Sequence, residues 1–259
     1  MKSIAILPAR MGASRFPGKP LHLISGIPLI GHCYYRTMLA TGIGATYVAT
    51  CDEEIASYVR SIGGTAVMTS SAHSRASDRT AEAMLEIERF TGQEVEVVIM
   101  VQGDEPLIPP ESISEILDKF SDPSVEIVNI MSRLQSQEAF EDKNNVKVVV
   151  DQNGDAMYFS REPIPSLWKG VNGVPMYQQV GVIAFRRNAL IRFNETPKMP
   201  MENIESIDMN RVLETGGKIR MVMTDAVTIG VDTPDEACKV ELFLEKDPIF
   251  GRYRKNERG

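Results

Sequence analysis

The chain has 259 residues, a formal net charge of −7, and 24% charged against 43% hydrophobic residues. That balance suits a globular α/β protein with a substantial core, and it argues against a general nucleic-acid or anionic-membrane binder while leaving room for a local anion site. No apolar run approaches the roughly 18 residues that span a bilayer, and Met1-Lys2-Ser3 leads straight into a strand pattern, so a cytoplasmic protein without membrane insertion is expected.

Ile4 to Leu7 reads as a buried strand that stops at Pro8. The loop after it carries Arg10, Arg15 and Lys19 among small residues, with no acid between Ala5 and Leu21. A buried strand opening into such a loop is the shape of a polyphosphate site, because backbone N–H groups approach the phosphates and fixed cations offset their charge. Neither the dinucleotide-binding nor the P-loop spacing is present, and a solvated basic turn is the plainer alternative.

Pro28 to Ala40 has helical spacing, and Thr46 to Thr50 is a short strand. Asp52 is placed to cap a helix whose apolar face is Ile55, Val59 and Ile62. Thr65 to Met68 reads as a strand, Thr69 to Arg79 as a polar loop, and about Thr80 to Phe90 as a helix. Glu94 to Val101 is nearly all apolar, as a strand covered on both faces must be, and it ends in Gln102-Gly103-Asp104-Glu105-Pro106. This alternation predicts parallel βαβ units, with ligands collecting beyond the carboxyl ends of the strands.

From about Val125 the pattern turns antiparallel: strands at 126–131, 146–151, 157–160 and 178–185, with a short helical piece after the first and a Pro/Gly-rich loop before the last. A helix over about Ile204 to Glu214, a strand over Ile219 to Thr224, and a further extended stretch Thr228 to Val231 follow. Thr233, Pro234 and Glu236 then spell a capping box, which places Asp232 at a strand–helix junction, and a frayed tail is expected from Arg252. Three scattered cysteines and three scattered histidines offer no zinc-type spacing, so any metal here would be a hard cation on carboxylates.

Five blocks in order, Pro8-Ala-Arg-Met-Gly-Ala-Ser-Arg-Phe-Pro-Gly-Lys-Pro-Leu21, Val101-Gln-Gly-Asp-Glu-Pro106, Val146-Lys-Val-Val149, Tyr158-Phe-Ser-Arg161 and Gly230-Val-Asp-Thr-Pro234, resemble the CMP-KDO synthetases, the 3-deoxy-manno-octulosonate cytidylyltransferase family, over nearly the whole chain. The resemblance implies a Rossmann-like α/β nucleotidyltransferase fold with a mostly parallel central sheet and a smaller antiparallel subdomain or dimerisation arm. The nucleotide-binding core would span about 1–124 and 200–250, and the sugar-binding and dimerisation part about 125–199. It also implies a homodimer, dependence on Mg2+, and attack of a sugar-acid hydroxyl on the α-phosphorus of CTP, in lipopolysaccharide or surface-glycan synthesis. Positioning and charge neutralisation carry most of such a displacement.

By the same resemblance Arg15 and Lys19 neutralise the triphosphate and departing pyrophosphate, and Asp104 and Asp232 hold the metal. Pro8, Ala9, Arg10, Ser14, Ser77, Asp78, Arg79 and Gln102 face the nucleotide. Arg161, Gln179, Asp208 and Met209 fall on the sugar-acid side, where the Arg161 fork suits a carboxylate. Departures gather there: Gln179-Val-Gly-Val-Ile-Ala-Phe185 stands for the family's His-Leu-Gly-Ile-Tyr-Ala-Tyr, and Asp208-Met209 for its Glu-Gln. A lost imidazole, phenol and amide change which hydroxyls can be paired, pointing to a modified acceptor such as 8-amino-KDO. The family's Ser-Gly-Thr-Asp-Arg segment reads Arg75-Ala-Ser-Asp-Arg79, which leaves the choice of nucleotide open. Rival readings are a cytidylyltransferase for a sialic-acid-like sugar or a phosphonate, and a nucleotide-binding homologue without catalysis.

Overall fold

Residues 2–12, 15–170 and 173–254 are described by the computed structural model. They sort into two units, Met1–Ser114 with Val227–Gly259, and Glu115–Ala226. The segment 200–226 therefore belongs to the second unit.

In the first unit β1 (Ser3–Ala9) leads through the loop and a 3-10 turn, Lys19–Leu21, to a small antiparallel hairpin of β2 (Leu23–Ile24) and β3 (Ile27–Pro28). Then come α1 (Leu29–Met38), β4 (Ala45–Thr50), α2 (Glu53–Ser61), β5 (Thr65–Met68), α3 (Ala76–Thr91) and β6 (Val97–Val101), and α4 (Pro110–Asp118) carries the chain out. Every residue of β1 and of β6 is buried, which is why these two segments read as continuous apolar runs. All four major strands pair in parallel, in the order β6-β1-β4-β5. The chain steps outward from β1 to β5 and then returns to the far side of β1, so the winding reverses between β1 and β6. Open α/β sheets bind ligands at such a switch point, beyond the carboxyl ends of the two strands.

Two expectations change here. Helix α3 begins at Ala76, not near Thr80, so Ser77, Asp78 and Arg79 lie in its first turn and not in a loop; Arg75 holds the N-cap position without a side-chain cap, which is why no start signal was legible. Thr228 to Val231 forms no strand; its Val231 N–H donates to the Asp104 carbonyl at 2.9 Å.

In the second unit β7 (Ile127–Arg133) is followed by α5 (Gln137–Glu141), β8 (Lys147–Val150), β9 (Ala156–Ser160), β10 (Tyr177–Arg186), α6 (Arg187–Glu195), α7 (Pro200–Glu205), α8 (Asn210–Glu214) and β11 (Arg220–Thr224). The β7–β10 and β8–β9 pairs are antiparallel as expected, but β11 runs parallel to β7. Helix α6 went unpredicted, and the single helix expected over Ile204 to Glu214 is broken at Ser206, whose φ of 56° is left-handed. The break sets Glu202 against Arg211 in a buried ion pair (2.7 Å), with the guanidinium 4.3 Å above the Phe193 ring. Lys147 is also buried; its ammonium donates to the carbonyls of Asp142, Asn145 and Arg161.

The chain re-enters the first unit with α9 (Pro234–Leu244) and α10 (Phe250–Tyr253). The tail is ordered further than expected: Tyr253 is buried, its hydroxyl 2.9 Å from His32 Nδ1. Buried Arg36 donates to the carbonyls of Leu107 and Ile108 and pairs with Asp247, tying the segment after β6 to the C-terminal helices. Among the described residues no helix is long and apolar enough to cross a membrane.

Candidate active site

Two glycines let the chain reach the switch point. Gly18, at φ 73°, takes the left-handed turn before Lys19, and its N–H closes the loop on the Met11 carbonyl at 3.2 Å. Gly103 packs so tightly at the end of β6 that a Cβ would lie 2.9 Å from Ile30 Cδ1 and 3.3 Å from the Pro8 carbonyl oxygen. The exits of β1 and β6 are thereby held together, and Asp104 follows directly.

Asp232 arrives from 128 positions away yet is fixed as firmly. Val231 is bonded to the Asp104 carbonyl, and the Asp232 N–H donates to Glu236 Oε2 at 2.6 Å. That glutamate also accepts from the Thr233 N–H, while Thr233 Oγ1 accepts the Glu236 N–H, completing the capping box of α9.

These constraints bring Arg15, Lys19, Asp104 and Asp232 together. Lys19 Nζ donates to Asp104 Oδ2 at 2.8 Å and to Asp232 Oδ1 at 3.0 Å, and Arg15 donates to Asp232 Oδ2 at 2.6 Å. Burial by itself would depress the Lys19 ammonium, but the carboxylates of Asp104 and then Asp232 outweigh it and hold its pKa above the ordinary lysine range. The aspartates thus already bracket one positive charge. Among the described residues no group of three or more His, Cys, Asp or Glu side chains could hold a metal alone. Two carboxylates with hard oxygens nevertheless suit Mg2+, which is bound through one or two protein carboxylates, with substrate phosphates and water supplying the rest.

A cleft of about 300 Å3 opens over this cluster, with Pro8, Ala9, Arg10 and Gln102 on its strand side and His73, Arg75, Ala76 and Arg79 on its other wall. Arg10 is exposed, and Gln102 half-buried. Arg79 is buried, its guanidinium donating to Thr69 Oγ1 and Cys51 Sγ, so it braces the wall as well as lining it. Ser77 is buried, and neither it nor Asp78 lines the cleft. Ser14 lies outside the described residues. His73, paired with Glu82, and Arg75 were not singled out from the sequence as lining groups; the helix start at Ala76 is what turns them inward.

The four residues assigned to the sugar acid lie in the second unit. Arg161 Nε donates to the Glu205 carbonyl at 2.9 Å, and its Nη1 to the Lys143 carbonyl at 2.9 Å. Hydrogen bonds from the Arg161 N–H, Ser160 and Tyr158 outweigh burial and keep the Glu205 carboxyl below its ordinary range. Gln179 Nε2 donates to Asn129 Oδ1 at 2.7 Å. Asp208 is half-buried, its carbonyl accepting the Arg211 N–H at 3.1 Å, whereas Met209 is wholly buried in the core of its unit.

Comparison with known proteins agrees with this architecture. A cytidylyltransferase family model matches residues 4–219. The 3-deoxy-manno-octulosonate cytidylyltransferase of Geobacter metallireducens is 40% identical over 96% of this chain and all of that protein, and the one from Thermodesulfovibrio yellowstonii is 40% identical over 94% and 98%. A solved CMP:2-keto-3-deoxy-manno-octonic acid synthetase complexed with CTP superposes with a TM-score of 0.85 at 35% identity, covering 95% of this chain and 99% of that one. A putative glucose-1-phosphate thymidylyltransferase from Bacillus anthracis, 15% identical with a TM-score of 0.66 over 93% of this chain and 94% of its own, shares the fold. The chain belongs to the cytidylyltransferase family and, within it, to the 3-deoxy-manno-octulosonate cytidylyltransferases.

Proposed function

We propose that this protein transfers CMP from CTP to the anomeric hydroxyl of a 3-deoxy-ulosonic acid, KDO or a modified KDO, releasing pyrophosphate. The observation that carries the reading is the bridge of Lys19 between Asp104 and Asp232 at the β1/β6 switch point. Fixed cations and anions converge there as an in-line displacement on a polyphosphate requires. Arg15 and Lys19 neutralise the triphosphate oxygens, and the charge that grows on the leaving pyrophosphate. When bound, Mg2+ held by Asp104 and Asp232 would supply further neutralisation of that charge. With the phosphates in place, the Lys19 ammonium exchanges aspartate oxygens for phosphate oxygens, whose negative charge keeps it protonated in turn. Arg10, Gln102 and the α3 wall orient the nucleotide, and Arg161 is assigned to the acid's carboxylate.

Pyrophosphate release measured with each of the four NTPs, with and without Mg2+, and across KDO, 8-amino-KDO and a sialic acid tests this directly. CTP-specific, Mg2+-dependent turnover with a 3-deoxy-ulosonic acid is expected; equal turnover with all four NTPs, or none with any acid, refutes it. The modified acceptor rests on the sequence departures at Gln179 and Asp208-Met209 from the pattern of the family resemblance. Robust preference for plain KDO would remove it. The reading places the enzyme in the cytoplasm, where CTP is made, as a homodimer acting in lipopolysaccharide or surface-glycan synthesis; light scattering of the purified protein decides the oligomer.

A further inference from the structure

Asp52 stands where a helix cap belongs and does something else. It occupies the N-cap of α2 with extended backbone (φ −108°), yet its side chain makes no capping bond. Its Oδ2 instead accepts the backbone N–H of Met11 at 2.7 Å, across 41 positions of chain. Met11 is also where the opening loop closes, since its carbonyl receives the Gly18 N–H at 3.2 Å. One residue therefore gathers both ends of the 11–18 segment, and one carboxylate pins that residue to the end of β4. Arg10 lies directly before the pinned point, Arg15 inside the loop and Lys19 just after it. The same turn reaches the other wall of the cleft, because Cys51 Sγ accepts from the Arg79 guanidinium at 3.5 Å.

We propose that Asp52 is a positioning residue for the transfer reaction: its charge-assisted hydrogen bond to the Met11 amide fixes the placement of Arg10, Arg15 and Lys19 against the triphosphate. The inference rests on the nucleotidyltransferase reading above. A shift of about 1 Å in groups that meet a reacting phosphate is enough to cost on the order of 100-fold in rate.

Asp52→Ser, Asp52→Gly and Asp52→Asn separate this role from a structural one. Serine caps helices about as well as aspartate and glycine nearly so, but neither carries an acceptor with the reach to meet Met11; asparagine keeps one. At a temperature where all four proteins are folded, the serine and glycine variants are expected to raise KM for CTP and lower kcat, so that kcat/KM falls roughly 10- to 100-fold. Asparagine is expected to restore most of that loss. If the wild type fails to turn over CTP with any acid, the functional reading itself falls. If the wild type turns over while Asp52→Ser and Asp52→Gly keep kcat/KM within about 3-fold, or if Asp52→Asn loses as much as they do, the positioning role is overturned. Glycine stands in should serine not fold.

Discussion

Replacing Lys19 with methionine removes the cation that two carboxylates share, and Mg2+ is expected to repair the loss of stability but not the loss of rate. Asp104 Oδ2 and Asp232 Oδ1 sit 2.8 Å and 3.0 Å from the ammonium, hence no more than about 6 Å from each other. At that separation and an effective dielectric of about 20, two unneutralised charges repel by about 3 kcal/mol. Arg15 still pairs with Asp232 at 2.6 Å in the variant, and the Asp232 side chain is 38% exposed, so partial neutralisation and screening reduce this to about 1 kcal/mol at most. For a chain of this size that corresponds to a melting temperature about 2–4 °C lower. Mg2+ is expected to restore the variant's stability by taking the vacated charge, and to leave its turnover about 100- to 1000-fold below wild type, since one fixed stabiliser of the leaving pyrophosphate is gone. Thermal melts with and without millimolar Mg2+, beside a continuous pyrophosphate assay at saturating CTP, measure both. A kcat within about 3-fold of wild type, or melting indifferent to Mg2+, would show that Lys19 does not serve the phosphates and that the aspartates do not form a cation site.

Asp104→Asn should lower kcat/KM by at least about 100-fold while the far-ultraviolet spectrum stays unchanged, and unaltered kinetics would remove it from the metal site. Gly103→Ala should cost about 1–3 kcal/mol in denaturant titration, because the Ile30 tip can yield but the Pro8 carbonyl cannot move without shifting the β1 exit. Thr233→Ala should lose about 1 kcal/mol from α9 and raise the Mg2+ concentration needed for half-maximal rate, since the cap also holds Asp232. His32 is wholly buried, and burial pushes its pKa down from 6.5 to about 4. The unfolded chain therefore takes up the proton first on acidification, so the stability is present above pH ~6.5 and is lost as pH falls toward ~4, on the order of 3 kcal/mol in all. His32→Asn should flatten that slope in melts across the interval.

What could be read without coordinates follows from the range of the forces involved. Local signals held: the β1 and β6 runs, the parallel rhythm around them and the Thr233 capping box all express neighbours within a few residues. The meeting of Asp104 and Asp232 was legible only through family resemblance, since no periodicity announces a single backbone bond such as Val231 to Asp104. Failures were of the same kind. Helix α3 starts without a capping side chain, α6 follows an arginine N-cap with none of the usual start residues, and Ser206 breaks a helix in a left-handed conformation that glycine or asparagine would have advertised. Asp52 is the instructive case. An aspartate before a helix reads as a cap whichever way its carboxylate turns, and only the loop 41 positions earlier decides that it faces Met11.

The first unit is assembled from Met1–Ser114 and Val227–Gly259, so the two aspartates that bracket Lys19 leave the ribosome far apart in time. At about 5–20 residues per second, Asp232 emerges on the order of 10 s after Asp104. Through that interval the nascent polypeptide already carries the basic loop and one acid, but not the second. A message cut short anywhere upstream of codon 232 therefore yields a product that lacks one of the two carboxylates that bracket Lys19.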